Sequence, residues 1–312
     1  MFCFLALIVF AIMGIFSASN RELAKEALAC VFTRVTFRPC RTNFKDKTKA
    51  MLLGKLVTRS AVVAKFVNKN FELLSWAFFI LSVVSTIWVA KGVYDYYLYG
   101  NCNGLNSSGF CVFDPKGLNS SVSSLNEKCY VKPPTEANVT LKNSNFSSFP
   151  VKNPQAKKKI IFIGCYLCDY TRAAYPQIKQ LLKQNPDVSF TFAHFPVKAG
   201  SSYLSNYDYC TYKEDPKKFW NFNDLLFSSS KADLYDNPSY ADKEAVKAGY
   251  NLDQLHACIN SAATKTAVEA QQNEIIKTGI YGTPTIFIDG TPYIGPKPYR
   301  VYEHGLKPWF LF

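Results

Sequence analysis

The sequence contains little histidine and few acidic residues. Its 312 residues include three histidines, His194, His256 and His304, and 23 acidic residues stand against 36 basic ones, for a net charge of +13. The sequence also shows no Ser-His-Asp arrangement, no phosphate-binding loop and no HExxH helix. These absences argue against serine hydrolases, nucleotide-phosphate enzymes and zinc proteases of the HExxH type.

Charge is missing altogether from two apolar segments. Residues 1–20 carry no charged side chain, and Leu73–Ala90 is an uncharged run that includes Trp76 and Trp88. About 20 apolar residues in a helix cross the hydrocarbon core of a bilayer. We therefore expect transmembrane segments over residues 1–20 and 71–92. The alternatives are a cleaved signal peptide for the first segment and a buried core helix for the second.

The stretch between these segments, residues 21–70, is strongly basic. It holds 12 Lys and Arg against 3 Asp and Glu, and short loops of this kind stay in the cytoplasm. We predict a basic cytoplasmic loop, with the N-terminus and everything after residue 92 on the outer side. Apolar residues recur in the loop at helical spacing, which suits the inner face of an anionic membrane. Nucleic-acid binding is the alternative use of the charge, but no recognised module supports it.

Two cysteines separated by two residues follow an apolar run. The run is Ile160–Gly164 and the motif is Cys165-Tyr166-Leu167-Cys168. The run predicts a strand buried on both faces, and the motif predicts the start of a helix. Both sulfurs are then expected on the first helical turn, where unpaired N–H groups and the helix dipole stabilise a thiolate. Copper or zinc binding is the other use of such a pair, but no histidine stands at a ligand-like spacing from it.

Further motifs follow in a fixed order downstream. Gly282-Thr283-Pro284-Thr285 precedes the strand-like Ile286–Ile288, and the segments Tyr209-Cys210, Lys218–Phe227 and Leu255–Ile259 lie between this motif and the cysteine pair. Together, over roughly residues 150–308, these motifs resemble the DsbA-like thiol-disulfide oxidoreductases, which have a thioredoxin fold.

The resemblance implies a fold and a set of site residues. The fold class is α/β, a thioredoxin fold over residues 156–312 with a helical insertion at about 200–279. Cys165 is expected to be the more exposed, attacking sulfur, and Cys168 the resolving one. The cis-proline loop Thr283-Pro284, with Tyr166 and Leu167, is expected to contact substrate. The redox-active disulfide is the only cofactor implied, and no metal is expected.

Two departures from the family bear on the direction of electron flow. Many relatives have a buried acid in the strand beneath the pair, whereas Lys159–Gly164 contains none. The dipeptide Tyr166-Leu167 stands where strongly oxidising relatives often carry Pro-His, and threonine before the cis-proline is commoner in isomerases and reductases. These features favour a moderate reduction potential and leave oxidase, isomerase and reductase roles open.

The other cysteines divide by predicted compartment. Cys30 and Cys40 fall in the basic loop and are expected to stay reduced. The resemblance implies a Cys210–Cys258 bridge in the helical insertion. Of the remaining outer cysteines, Cys102 and Cys111 are the favoured pair and Cys129 is left over, although connectivity does not follow from sequence. The last three belong to an Asn/Ser-rich connector, residues 93–155, with sequons at Asn106, Asn119, Asn138 and Asn145.

The sequence thus predicts a two-pass membrane protein whose outer domain exchanges disulfides with exported proteins that bear thiols or disulfides. A membrane redox partner of unknown identity must renew the pair. Two alternatives stay open. One is a non-catalytic thioredoxin-fold membrane protein that binds peptides and holds an inert Cys165–Cys168 disulfide, and the other is a copper- or zinc-handling protein.

Overall fold

The computed structural model describes residues 18–35, 49–50, 53–54, 57–58, 60–123 and 139–308. The chain forms two compact units, Met1–Lys91 and Gly92–Phe312. Most of the first predicted transmembrane segment lies outside the described residues, as do Cys40, Cys129 and the sequon at Asn138.

The first unit is helical where it is described. Its helices are α1 (Ala18–Val35), α2 (Ala61–Lys69) and the larger part of α3 (Phe71–Tyr99). Cys30, in α1, is disulfide-bonded, so the expectation of a reduced thiol there is wrong. Disulfides persist mainly in oxidising compartments, and this bond therefore bears on the compartment predicted for the basic loop.

Helix α3 contains the second predicted membrane span. Its most apolar 18-residue window has a mean hydropathy of 2.1, and none of that window is buried within the protein. Of the helices in the described part of the chain, α3 alone is long and apolar enough to cross a membrane. The expectation of two such helices is therefore not confirmed.

The second unit is built on a five-stranded mixed sheet, which confirms the α/β fold class. The strand order is β1-β3-β2-β4-β5, where the strands are β1 (Val151–Lys152), β2 (Lys159–Gly164), β3 (Ser189–His194), β4 (Thr285–Ile288) and β5 (Thr291–Ile294). Strand β2 runs parallel to β3 and antiparallel to β4. Helix α4 (Asp169–Gln184) connects β2 to β3, and a crossover of this kind is what parallel pairing of two consecutive strands requires.

A run of helices between β3 and β4 forms the insertion that the sequence predicts at about residues 200–279. The helices are α5 (Tyr203–Glu214), α6 (Pro216–Ser228), α7 (Lys231–Leu234), α8 (Pro238–Lys247), α9 (Leu252–Ile259) and α10 (Ala262–Lys277). A final helix, α11 (Tyr299–Leu306), packs against α4. Within the insertion, α9 and α10 are separate helices, because the Ser261 hydroxyl accepts the Thr264 N–H and caps a new helix after Ile259.

Two disulfides hold this unit together. Cys210 in α5 is bonded to Cys258 in α9, and Cys102 is bonded to Cys111 in the connector. These are the pairings predicted above. After the second bond, the Asp114 carboxylate accepts the backbone N–H groups of Leu118 and Asn119 and fixes the turn that leads to residue 120.

Removing the longer disulfide is expected to cost more stability than removing the shorter one. The double substitution of Cys210 and Cys258 by alanine opens a link across 48 residues, and loop-closure entropy gives about 4 kcal/mol of unfolding free energy for it. The same change at Cys102 and Cys111 opens a link across 9 residues, worth about 3 kcal/mol. Urea unfolding of the full chain in detergent, followed by tryptophan fluorescence, measures both losses. A larger loss for the shorter loop would contradict the expectation.

Candidate active site

The cysteine pair lies at the end of the central strand. Strand β2 ends at Gly164, the chain then makes a turn in which the Cys168 N–H donates to the Cys165 carbonyl at 3.1 Å, and α4 begins at Asp169. The sequence predicts both sulfurs on the first turn of the helix. The structure differs, because the helix begins after both cysteines. Cys168 is the N-cap, and its Sγ accepts the N–H of Thr171 at 3.4 Å. The helix terminus thus acts directly on Cys168 rather than on Cys165.

Both cysteines are free thiols and both are fully buried. The expectation that Cys165 is the more exposed sulfur is therefore wrong. Its Sγ lies 3.4 Å from the hydroxyl of Ser201, at the end of the loop that follows β3. Burial raises the pKa of the Cys165 thiol, and the hydrogen bond with Ser201 only partly offsets this effect.

The Thr283-Pro284 loop meets the pair from the other side. The Thr283–Pro284 peptide bond is cis, and the carbonyl oxygen of Thr283 lies 3.3 Å from Cys168 Sγ. The loop reaches this place because β2 and β4 pair in antiparallel register, with Ile163 opposite Thr285. Residues far apart in the sequence are thereby brought to one edge of the sheet.

A segment of the connector covers the site, and we had not predicted this cover. Ser123 forms an isolated antiparallel bridge with Thr283, and its hydroxyl lies 3.0 Å from Cys168 Sγ. Ser121, Val122 and Ser123 are all buried. The segment has no periodic pattern, so no sequence signal distinguishes it from the rest of the Asn/Ser-rich stretch.

Tyr166 lies inside the domain and not at the substrate surface where we expected it. The side chain is fully buried, with its ring against Phe192 and Phe227. Its hydroxyl donates to Asp208 at 2.8 Å and accepts from the Asn223 side chain at 2.9 Å. Burial raises the pKa of Tyr166 well above its usual range. Its position makes Tyr166 a link between the cysteine pair and the helical insertion.

Asp208 is a buried acid that no sequence motif predicted. It comes from α5 rather than from the strand beneath the pair, and burial raises its pKa well above the usual range of a carboxyl group. Arg172 is a second missed residue. Its guanidinium donates to the Tyr166 carbonyl at 2.5 Å and to the Ser229 carbonyl at 2.6 Å, at the end of α6. It therefore ties the turn of the cysteine pair to the insertion.

Leu167 is almost fully buried, but it lines a cleft of about 390 Å³ beside the pair. Lys198, Lys231 and Tyr235 line the same cleft, and Lys231 forms an ion pair with Asp169 at 2.5 Å. Of the residues expected to contact substrate, Leu167 is therefore the one that faces an open surface.

The histidines serve other contacts. His194 is buried at the end of β3, where its Nδ1 lies 2.9 Å from the Ser205 hydroxyl and burial lowers its pKa to about 3. His256 pairs with Asp242 at 2.8 Å. Within the described residues, no three His, Cys, Asp or Glu side chains are grouped as metal ligands.

The buried state of Cys165 predicts slow alkylation. Since its pKa is raised, the thiol stays protonated at pH values where an ordinary cysteine, with a pKa of about 8.5, is partly a reactive thiolate. We expect iodoacetamide to modify Cys165 at pH 8 at least about tenfold more slowly in the folded chain than in the urea-denatured chain. The half-maximal rate should also lie at a higher pH. Timed quenching and peptide mass mapping measure both, and equal rates with equal midpoints would contradict the expectation.

Comparison with known proteins places this unit in a family. The family model described as thioredoxin matches residues 151–307, and no curated protein sequence gives a significant match to the chain. Solved structures similar to it include the thiol-disulfide exchange protein alpha-DsbA2 from Wolbachia pipientis, with 18% identity over 51% of this chain and 86% of that one, at a TM-score of 0.46. BdbD from Bacillus subtilis in its oxidised form has 22% identity over 51% of this chain and 90% of that one, at a TM-score of 0.44. The catalytic domain of Proteus mirabilis ScsC has 22% identity over 54% of this chain and 90% of that one, at a TM-score of 0.45. Because the thioredoxin match spans just over half of the 312 residues, the chain belongs to the thioredoxin family.

Proposed function

We propose that this protein is a membrane-anchored thiol-disulfide oxidoreductase whose redox pair is Cys165 and Cys168. The observation that carries the proposal is the placement of two free thiols at the N-terminus of α4, with the Thr283 carbonyl 3.3 Å from the second sulfur. Membership of the thioredoxin family supports the same chemistry.

In the reducing direction, the reaction begins when the Cys165 thiolate attacks one sulfur of a substrate disulfide. A mixed disulfide forms, and the other substrate sulfur leaves as a thiolate that takes up a proton. Cys168 then loses its proton and attacks the Cys165 sulfur, which releases the second substrate thiol. Two electrons pass from the dithiol to the substrate, and Cys165–Cys168 becomes a disulfide. Oxidation of a substrate dithiol is the reverse sequence.

The structure supports different tasks for the two sulfurs. The Thr171 N–H at 3.4 Å from Cys168 Sγ stabilises negative charge there, which assists the resolving attack. The backbone N–H and carbonyl of Thr283 pair with Ser123 of the connector beside the two sulfurs. An extended segment of a substrate protein that bonded the same two groups would add to the sheet as an extra strand.

The natural substrates proposed are exported proteins that bear thiols or disulfides, and a membrane redox partner would renew the pair. The reduction potential decides the direction of electron flow.

The buried Asp208 supplies an acid near the cysteine pair, where the strand beneath the pair has none. Its carboxylate contacts the motif through the Tyr166 hydroxyl and not through a sulfur. We therefore keep the expectation of a moderate potential.

Redox equilibration of the full chain in glutathione buffers tests the function. A potential of about −120 to −180 mV would indicate disulfide donation or isomerisation, and one of about −270 mV a reductase. A pair that remains oxidised below about −300 mV would contradict catalysis and favour a structural disulfide in a peptide-binding domain.

Trapping with single variants tests the roles of the two sulfurs. With a disulfide substrate, Cys168→Ser should accumulate a mixed disulfide through Cys165, because the resolving thiol is missing. Cys165→Ser should accumulate none. Mass spectrometry of the alkylated digest identifies the trapped sulfur, and trapping on Cys168 in the Cys165→Ser variant would reverse the assignment.

The membrane anchor proposed is α3, with the thioredoxin unit on the outer side. The apolar window of α3 and the aromatic residues that follow it, from Tyr94 to Tyr99, support this placement. The charge of the basic loop favours a cytoplasmic position, whereas the disulfide at Cys30 favours an oxidising compartment. A direct measurement of topology resolves these opposed indications.

Two exposed valines provide matched labelling sites for topology. Val57 is 57% exposed before α2, and Val112 is 72% exposed in the connector. In intact cells a membrane-impermeant maleimide should label Val112→Cys, and it should label Val57→Cys only after permeabilisation. Labelling of both from outside would contradict a cytoplasmic loop and agree with the Cys30 disulfide.

A further inference from the structure

The connector segment that covers the pair lies where a substrate strand is expected. We propose that residues 120–123 are an internal occupant of the peptide-binding position, which an extended, cysteine-containing segment of a substrate protein must displace. This inference rests on the function proposed above, because it names the class of segment that binds beside the redox pair and what keeps that position closed.

The backbone contacts are those of a paired strand. The Ser123 N–H donates to the Thr283 carbonyl at 2.8 Å, and the Thr283 N–H donates to the Ser123 carbonyl at 2.9 Å. Two residues that exchange both hydrogen bonds form one hydrogen-bonded pair of an antiparallel ladder. Since the Thr283 N–H has a single hydrogen, no external peptide bonds to it while Ser123 is in place.

The side chain of Ser123 resembles that of a substrate cysteine. Its hydroxyl lies 3.0 Å from Cys168 Sγ, and serine has the shape of cysteine with oxygen in place of sulfur. An oxygen at this position does not enter disulfide exchange. A substrate cysteine bound in the same register would place its sulfur beside Cys168, the resolving sulfur. The imitation therefore consists of the backbone pairing and the side-chain shape, and it does not extend to the contact with Cys165.

The surrounding residues leave room for the segment. A Cβ at Gly282 would lie 2.5 Å from the Ser123 carbonyl oxygen and 2.7 Å from Val122 Cγ2. A Cβ at Gly295 would lie 2.8 Å from the carbonyl carbon of Ser120. Glycine at these two positions therefore permits an approach that any other residue would block. The side chain of Val122 is fully buried and anchors the segment.

The occupant lies against Cys168 in a redox pair of which neither sulfur is exposed. A protein disulfide must approach Cys165 closely enough to form a bond, and both cysteines have no accessible surface while residues 120–123 are in place. Only molecules with the segment displaced can react. The apparent affinity for a substrate is then the intrinsic affinity multiplied by the fraction of molecules in which the segment is displaced.

Alkylation of a variant with the segment expelled tests the occupancy. Val122→Asp would bury a charge, which is costly unless the segment leaves. In the full chain in detergent, we expect Cys165 to be alkylated at least about tenfold faster in Val122→Asp than in the unaltered chain. Val112→Asp makes the same change at an exposed valine of the same connector and should change the rate less than about twofold. Gly282→Ala, a smaller change on the facing side, should also increase the rate.

A disulfide trap tests the register without expelling the segment. In a chain with Cys165→Ala, the variant Ser123→Cys should form a Cys168-linked disulfide on oxidation with diamide, which accepts the two hydrogens. Ser121→Cys is the matched control, because the Ser121 hydroxyl donates to the Gly117 carbonyl at 2.8 Å, and it should not link to Cys168. Peptide mass mapping identifies the linked residues.

The outcomes separate this inference from the proposed function. Faster alkylation of Val122→Asp with faster reduction of insulin supports both. Faster alkylation with no exchange activity in any variant supports the occupancy and overturns the proposed function. Two results together overturn the occupancy: alkylation that is unchanged in Val122→Asp and Gly282→Ala, and no disulfide to Cys168 in the Ser123→Cys variant. If the unaltered chain shows normal exchange activity in the same experiments, the proposed function stands and only the occupancy is lost.

Discussion

The burial of β2 between its two neighbouring strands is the constraint on which the site depends. Ile160, Phe162 and Ile163 have no exposed surface, so the strand is fixed from both faces and both edges. Its parallel pairing with β3 and antiparallel pairing with β4 bring the end of β2 and the start of β4 to the same edge. The cysteine pair and Thr283 meet there because the sheet register leaves them no other position.

Much of this frame could be predicted from the sequence, since its signals are local. The apolar run before Cys165 predicts β2, and the family resemblance that the ordered motifs carry implies the α/β class and the helical insertion. The turn at the pair was not predictable, because the Cys168 N–H to Cys165 carbonyl bond moves the start of the helix to Asp169. The burial of Tyr166 depends on a partner in α5, and the cover over the site depends on Ser123 meeting Thr283. Both are long-range contacts that no periodic pattern encodes.

The polar groups behind the pair connect two parts of the unit that are separate in sequence. Tyr166 reaches Asp208 in α5, and Arg172 donates to carbonyls at the end of α6. Loss of one member of such a buried group is costly, because its partner is left buried without a hydrogen bond. The turn that holds the two sulfurs is therefore kept in place by the insertion as well as by the sheet.

The connector also contacts the sheet at its far edge, at β5. The Asn106 side chain donates to the Pro292 carbonyl at 2.7 Å and accepts the Ile294 N–H at 2.8 Å. Its amide thus bonds two backbone groups that a sixth strand would use, and Pro292 itself has no N–H to offer. An edge closed in this way does not template the pairing of strands from neighbouring molecules, which protects the protein against sheet-to-sheet aggregation.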